Sequence, residues 1–351
     1  MKKFKILNVF GTRPQYVKAK LLSERLNNYE IFEQVLIDSG QHYDDQMSLV
    51  FKSQFNLSIK YNLNCFNLNS SDRLNYLIEK LNKIFSLEKP KAIIVYGDTD
   101  TTLCATISAI KNKIFVFHVE AGVRSFNFNM QEEINRVMVD SVSSLLFCPT
   151  LEAYKYISES ISTKDPRKII FSGDLMYELF LKESESINKF ESKDVLVTIH
   201  REENDQNLLK IVDSLSYNKN RNFNFILHPR HLKSEHLIKD KYKNIDVIKP
   251  LSHKDFIEML FSSKLVITDS GGLQREAFFA KKKCLVVRRE TEWEEIINSK
   301  AGILVSDINK LKDLKLFTDF SELGYDKNLF GNGETSKIIC DSIVNFFSDE
   351  M

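Results

Sequence analysis

Three carboxylates stand where an acid or base could work on a small molecule: Asp98 in "YGDTDTT", Glu120 in "HVEAGVRS" and Glu132 in "QEEINR". Glu120 sits between Val119 and Ala121-Gly122, an apolar setting where an unpaired carboxylate is costly. Burial there raises a carboxyl pKa and makes it a usable acid or base. Arg124 and Arg136 are near enough in sequence to offset that charge, and Asp98 could equally cap a helix. The local sequence leaves catalytic and structural roles open for each acid. Arg13 and Lys18, in "GTRPQYVK", place positive charge beside a glycine turn that begins with Gly11. His200 heads "HREEN" directly after an apolar run, where it could donate to a phosphate or a leaving oxygen.

A second group lies in "LVITDSGGLQREAFFA", residues 265–280. Its apolar start reads as a buried strand and residues 273–280 as a helix. Gly271 and Gly272 let the backbone turn sharply and let a ligand approach closely. The free N–H groups at the helix start then favour an anion. The plainer alternative is a helix capped by Asp269 or Ser270. Glu276, one turn further on, could accept from ribose hydroxyls or simply be a helix-surface carboxylate. A diphosphate at helix N-termini, flanked by a sugar and a nucleoside, fits this arrangement.

None of the eleven glycines builds GxGxxG or a P-loop, so no dinucleotide cofactor is expected. Among seven histidines, His228 and His231 come nearest to a metal-ligand spacing, but Pro229 and Arg230 between them suit a turn. His42 and His118 are isolated. No metal is expected.

The elements that must position these groups follow from hydrophobic periodicity. Strands are predicted at residues 5–10, 33–37, 92–96, 114–118 and 145–148, with helices at 17–27 and 71–85 between them. A second series follows at 194–199, 224–227, 247–249, 265–268 and 284–287. Alternation of this kind predicts an α/β protein with parallel sheets and helices on both faces. Two such units in series predict two Rossmann-like domains with the active site in the cleft between them. Residues 1–170 form the first domain and 171–338 the second, joined through the polar stretch 162–174. A last helix, within 339–351, is free to pack back on the first domain. Nearly every distinctive polar motif follows a predicted strand, and the carboxyl ends of strands are where open α/β sheets bind ligands.

Bulk properties agree. A length of 351 residues suggests about two domains. Lys and Arg total 49 against 48 Asp and Glu, a net charge of +1, so no nucleic-acid footprint is indicated. Five cysteines without a CxxC pair read as reduced thiols in the cytoplasm. The opening "MKKFKILNVFGTRPQ" has too short an apolar run for a signal peptide, and no run approaches membrane-spanning length. A soluble cytoplasmic protein is expected.

Taken in order, "GTRPQYVK", "GQHYD", "YGDTDTT", "HVEAGVRSFN", "EEINRVMVD", "TIHREEN", "LHPR", "TDSGGLQREA", "RRETEWEE" and "GNGE" resemble the non-hydrolysing UDP-N-acetylglucosamine 2-epimerases, which have the two-domain GT-B architecture. The resemblance implies interconversion of UDP-GlcNAc and UDP-ManNAc for surface polysaccharide precursors. UDP is eliminated as the C2 proton is removed, giving a 2-acetamidoglucal, and is then added back with the proton delivered to the opposite face. No cofactor is implied, and a homodimer is.

By the same resemblance Asp98, Glu120 and Glu132 occupy the catalytic carboxylate positions and His200 the functional histidine. Arg13, Lys18 and Arg136 match basic active-site positions. Gln41 matches a substrate-binding position, Phe256 a residue beside the uracil, and Ser270, Gly271, Gly272 and Glu276 the UDP-binding turn. There are departures. Gln131 stands where most relatives have proline, and Arg275 replaces the first glutamate of a usual Gln-Glu-Glu. "AKKKC" lacks a common Gly-Lys-Pro turn, and Trp293 stands where many relatives have an arginine that contacts ligand. "TIHREEN" and "TEW" look more like the branch acting on UDP-2,3-diacetamido-2,3-dideoxy-glucuronate. A hydrolysing 2-epimerase, a GT-B glycosyltransferase and a UDP-sugar sensor are the rival readings.

Overall fold

A computed structural model describes residues 3–41, 57–185, 187, 194–318, 324–326 and 328–349. His42, Tyr43 and Asp44 of "GQHYD" lie outside the described residues. The chain divides into two compact units, Met1–Leu179 with Asn328–Met351, and Phe180–Lys327.

The first unit is built on seven parallel strands: β1 (Phe4–Phe10), β2 (Phe32–Asp38), β3 (Ile59–Asn62), β4 (Ala92–Tyr96), β5 (Phe115–Val119), β6 (Leu145–Cys148) and β7 (Lys168–Phe171). Their order across the sheet is β3-β2-β1-β4-β5-β6-β7. All five residues of β4 are buried, as a parallel strand covered on both faces requires. Alternate side chains feed separate cores. Ile6, Phe10, Ile94 and Tyr96 join one cluster; Leu7, Val9, Ile93 and Val95 join the other.

Helix Thr335–Asp349 closes the first of these cores. Ile339, Ile343, Phe346 and Phe347 recur at helical spacing and are all buried there. Phe347 stacks on Phe4 with ring centroids 4.4 Å apart. Phe346 meets Phe117 edge-on at 5.3 Å. Glu178 accepts from Ser336 N at 2.7 Å and Ser336 Oγ at 2.8 Å, fastening the start of this helix.

The second unit repeats the plan with six parallel strands: β8 (Val195–Ile199), β9 (Phe223–Leu227), β10 (Ile245–Ile248), β11 (Leu265–Thr268), β12 (Lys283–Val286) and β13 (Gly302–Leu304). The order is β10-β9-β8-β11-β12-β13. Val195, Val197, Ile199, Leu265 and Ile267 face one core; Leu196 and Val266 face the other.

Both sheets change direction at their centres, between β1 and β4 in the first and between β8 and β11 in the second. The carboxyl ends of strands flanking such a switch point are where open α/β sheets hold ligands. Those ends lead into "GTRP", "GDTD", "HREEN" and "DSGG".

Three strands escape the sequence pattern because they are short and marginal. β7 lies within the stretch read as a polar join; it has four residues, none fully buried, and pairs only with β6 at the sheet edge. β3 alternates half-buried and exposed, and β13 has three residues. The unit boundaries therefore differ from the sequence expectation. The first unit continues past residue 170 to Leu179 because β7 belongs to its sheet. The second ends at Lys327 rather than 338 because Thr335 and Ser336 are already buried in the first.

Since Phe347 is 2 % exposed, Phe347→Ala is expected to cost ~3–5 kcal/mol. Ser348→Ala, one residue on and exposed, is expected to stay within ~0.5 kcal/mol. Urea unfolding of both variants measures the contrast.

Candidate active site

The first turn of the first unit is shaped by close packing. A Cβ on Gly11 would lie 1.8 Å from Ser39 Oγ, so only glycine fits there. Gln15 is buried behind the turn; its Oε1 accepts from Gly11 N at 2.9 Å and Thr12 N at 3.3 Å. Its Nε2 donates to Tyr96 O at 2.7 Å and Thr99 Oγ1 at 3.0 Å. The turn's first two N–H groups are thus occupied internally. Positive charge remains: Arg13 is exposed at the head of helix Arg13–Leu26, and Lys18 is buried one turn along it.

Lys18 Nζ pairs with Glu120 Oε2. Lys18, distant in sequence, is therefore a counter-ion of Glu120. Arg124 instead pairs with Asp140 at 2.6 Å. Arg136 pairs with Asp98 and, at 3.1 Å, with Glu133. Asp98 directly follows Gly97, whose φ of +59° turns the chain after β4; Glu120 has φ +75° after β5. A non-glycine residue in that region costs roughly 1–3 kcal/mol and persists only where its surroundings hold it. A Cβ on Gly97 would lie 3.5 Å from Glu120 Oε2, so the two turns are in contact.

Asp98 keeps 28 % of its side chain exposed. Burial lifts its carboxyl above the ordinary range; Arg136 and Lys18 pull it down, while Glu120 and Glu132 push it up. Thr99 caps helix Asp100–Lys111, accepting from Thr102 N at 3.3 Å, so Asp98 is released from that structural role. Glu132 is exposed in the first turn of helix Gln131–Val142. Its neighbour Glu133 is fully buried and accepts from Ser125 N (2.9 Å), Ser125 Oγ (3.0 Å) and Phe126 N (3.1 Å). Of the paired glutamates, Glu133 holds the loop and Glu132 reaches solvent. Gln41 Oε1 accepts from Thr101 N at 3.0 Å and Thr101 Oγ1 at 2.7 Å.

In the second unit Ser270 caps helix Gly271–Phe279, accepting from Leu273 N at 3.3 Å. Asp269 has a different task. It is fully buried and accepts from His200 N (3.0 Å), Arg201 N (3.0 Å) and Asn204 Nδ2 (2.9 Å), tying the loop after β8 to the end of β11. A Cβ on Gly271 would meet Glu292 Oε1 at 2.1 Å, and Glu292 is itself paired with Arg288 at 2.8 Å.

His200 has 40 % of its side chain exposed, with Nδ1 3.6 Å from Asp269 Oδ1. Burial lowers its pKa against the pull of Asp269, and Arg201 and Arg230 lower it further. These shifts favour the neutral imidazole.

Glu276 lies 3.8 Å from His253 Nε2, and Glu183 lies 3.0 Å from His253 Nδ1. Phe256 is half-buried in helix His253–Ser262. His228 accepts from Arg230 N at 3.3 Å within its own turn, and His231 meets Asp205 at 2.8 Å, tying that turn to the segment after β8. Among the described residues no three His, Cys, Asp or Glu side chains group as metal ligands. Trp293 is 2 % exposed, and the Arg275 guanidinium lies 4.4 Å above its ring. Two departures from the common pattern are thus partners of each other.

Residues 24–344 match the family described as UDP-N-acetylglucosamine 2-epimerase. The chain belongs to the UDP-N-acetylglucosamine 2-epimerase family. Members are isomerases, and so is this protein. It is 34% identical to a UDP-N-acetylglucosamine 2-epimerase homolog of Methanococcus maripaludis over 97% of this chain and 99% of that one. It is 33% identical, with the same coverage, to the UDP-2,3-diacetamido-2,3-dideoxy-D-glucuronate 2-epimerase of Pseudomonas aeruginosa. The crystal structure of the Methanocaldococcus jannaschii UDP-GlcNAc 2-epimerase in complex with UDP-GlcNAc and UDP superposes with a TM-score of 0.81, at 31% identity and covering 99% of both chains.

The site residues expected from the sequence fall into two sets. The structure brings Asp98, Glu120, Lys18 and Arg136 together in the first unit, with Glu132 close enough for Asp98 to feel its charge. It brings Ser270, Gly271, Glu276 and His200 to adjoining strand ends in the second. Sequence reasoning missed Gln15, Glu133 and the clamping role of Asp269. Gln15 and Asp269 adjoin glycine turns, while Glu133 is set apart only by its pairing with Glu132.

His253 has its pKa raised to about 9 by Glu183 and then Glu276, against burial. A raised folded-state value means the stabilisation is complete below the unfolded pKa of ~6.5 and is lost as pH climbs through about 9. The melting-temperature gap between wild type and His253→Gln is expected to be open near neutral pH and to close above about pH 9. Thermal scans across that range measure it.

Proposed function

We propose that this epimerase interconverts UDP-GlcNAc and UDP-ManNAc without hydrolysis, by elimination and re-addition of UDP. The reading is carried by the Asp98–Arg136 and Glu120–Lys18 pairs, which set two acids and two cations side by side at the ends of neighbouring strands. C2 of such a sugar has no adjacent carbonyl, so its hydrogen is weakly acidic. Its removal needs a positioned base acting as the C1–O1 bond breaks, with the electron pair of that bond leaving on UDP. The product of this half-reaction is the 2-acetamidoglucal. UDP then re-forms the C1–O bond while a proton is delivered to the opposite face of C2.

One fixed carboxylate cannot reach both faces, so more than one of Asp98, Glu120 and Glu132 takes part. Arg13, Lys18 and Arg136 stabilise the departing diphosphate, and neutral His200 donates a hydrogen bond to it. The diphosphate sits at the N-terminus of helix Gly271–Phe279, on the turn of Ser270, Gly271 and Gly272, where a Cβ on Gly272 would meet nothing nearer than Ser270 Oγ at 3.7 Å. Glu276 receives the ribose hydroxyls, Phe256 lies beside the uracil, and Gln41 helps hold the sugar. Supplying surface polysaccharide precursors, as a homodimer in the cytoplasm, is the corresponding biological role.

A second reading exchanges the sugar for UDP-2,3-diacetamido-2,3-dideoxy-glucuronate. Its support is the 33% identity to the Pseudomonas aeruginosa enzyme named for that substrate. The elimination chemistry is the same in both.

Incubation with each UDP-sugar alone, in deuterated water, tests the function. The true substrate should give two nucleotide sugars with deuterium at C2 of the product. Stoichiometric release of UDP would instead mark a hydrolase, and an unchanged configuration a transferase or sensor. Epimerised product without solvent deuterium would refute proton abstraction at C2. Asp98→Asn, Glu120→Gln and Glu132→Gln should each lose ~10²–10⁴-fold in turnover while UDP still raises their melting temperature. Gly271→Val should lose that UDP-induced rise.

The missing dinucleotide and P-loop fingerprints lead to one more expectation. Turnover should persist after exhaustive chelation and without added NAD. Activity restored only by a metal or by NAD would defeat the mechanism.

A further inference from the structure

The first sheet holds a buried charged cluster, built on β5, that has no part yet in the proposed proton transfers. His118, on β5, is fully buried, and Asp140, on helix Gln131–Val142, is 4% exposed. His118 Nδ1 lies 2.6 Å from Asp140 Oδ1, and its Nε2 lies 2.8 Å from Gly97 O. A carbonyl oxygen can only accept, so Nε2 donates to Gly97. Asp140 Oδ2 accepts from Gly122 N at 3.0 Å and pairs with Arg124 at 2.6 Å. Burial would push the Asp140 carboxyl upward, but His118 and then Arg124 outweigh it and hold it below the usual range. Such a cluster is costly to bury unless fully paired.

What the cluster grips is specific. Gly97 is the residue before Asp98, and Gly122 is two residues after Glu120. The two residues and Glu120 itself all have left-handed backbone, with φ of +59°, +81° and +75°. Glu120 N and Ala121 N both donate to Phe147 O, at 3.1 and 3.0 Å, and Gly97 N donates to Val119 O at 2.9 Å. The His118–Asp140 pair therefore links the backbone of one acid-bearing turn to that of the other.

We propose that His118 and Asp140 are positioning residues for the epimerisation, setting the turn of Asp98 against the turn of Glu120 and holding Glu120 in its left-handed conformation. The proposal rests on the reading of Asp98 and Glu120 as the reacting acids. Both are buried, and they act on the acids through Gly97 O and Gly122 N.

The test compares His118→Gln and Asp140→Asn with Asp98→Asn and Glu120→Gln. Asp140→Asn keeps the volume and an accepting oxygen, so it reads the same contacts if His118→Gln does not fold. Misplacing acids by about an ångström should lower kcat ~100-fold with KM changed less than about threefold, because the groups that bind UDP are untouched. UDP should still raise the melting temperature of both variants. The limb of the kcat pH profile that disappears in Asp98→Asn should also move, since Asp98 faces Arg136, Glu120, Lys18 and Glu132 and loosening the turns alters those distances.

Glu88→Gln is the control for general destabilisation. It loosens the contacts of Glu88 to Lys5 and Tyr61, at 2.9 and 2.6 Å, and should lower the melting temperature with kcat and the pH profile unchanged. Normal kcat in folded Asp140→Asn, or a lowered kcat with an unmoved pH limb, would overturn the positioning role. Normal kcat in Asp98→Asn and Glu120→Gln would instead overturn the assignment of the acids. The two failures are separable.

Discussion

The energetic constraint on which the first unit depends is the cost of keeping carboxylates out of water at the ends of parallel strands. A carboxylate so placed needs a fixed cation or it protonates. Lys18 reaches Glu120 from a helix that follows a different strand, and Arg136 reaches Asp98 from a third element. Both cations are themselves largely buried, so their charge is poorly screened and stays in place. This is pre-organisation in electrostatic form: the field is built during folding and needs no rearrangement when charge moves in a reaction.

The topology explains why such pairs can form at all. Parallel strands point all their carboxyl ends the same way, so turns distant in sequence become neighbours. Gln15 illustrates the consequence. One side chain bridges the turn after β1 to the turn after β4, across 81 residues of sequence to Tyr96. Asp269 does the equivalent in the second sheet, gathering the loop after β8 onto the end of β11.

Much of this was legible from the amino-acid sequence, for a physical reason. Strands buried on both faces are apolar throughout, and β4, β6 and β11 fall at the expected residues. Edge strands such as β3 and β7 carry no such signal because half their surface meets solvent. The polar motifs after β1, β4, β5, β8 and β11 were visible as motifs, but their pairings were not. Nothing local shows that Glu120 meets Lys18, 102 residues away, while Arg124 turns to Asp140. His118 looked isolated in sequence because its partners are a carbonyl and a helix residue 22 positions on.

Arg275 and Trp293 act as one unit. The guanidinium of one lies against the ring of the other, a contact worth roughly 0.5–2 kcal/mol when shielded from water. Replacing either residue alone removes the surface on which the other rests, so their effects are coupled rather than additive. Arg275 lies within helix Gly271–Phe279 and Trp293 leads into helix Glu294–Asn298, so a change on one helix is felt as a loss on the other.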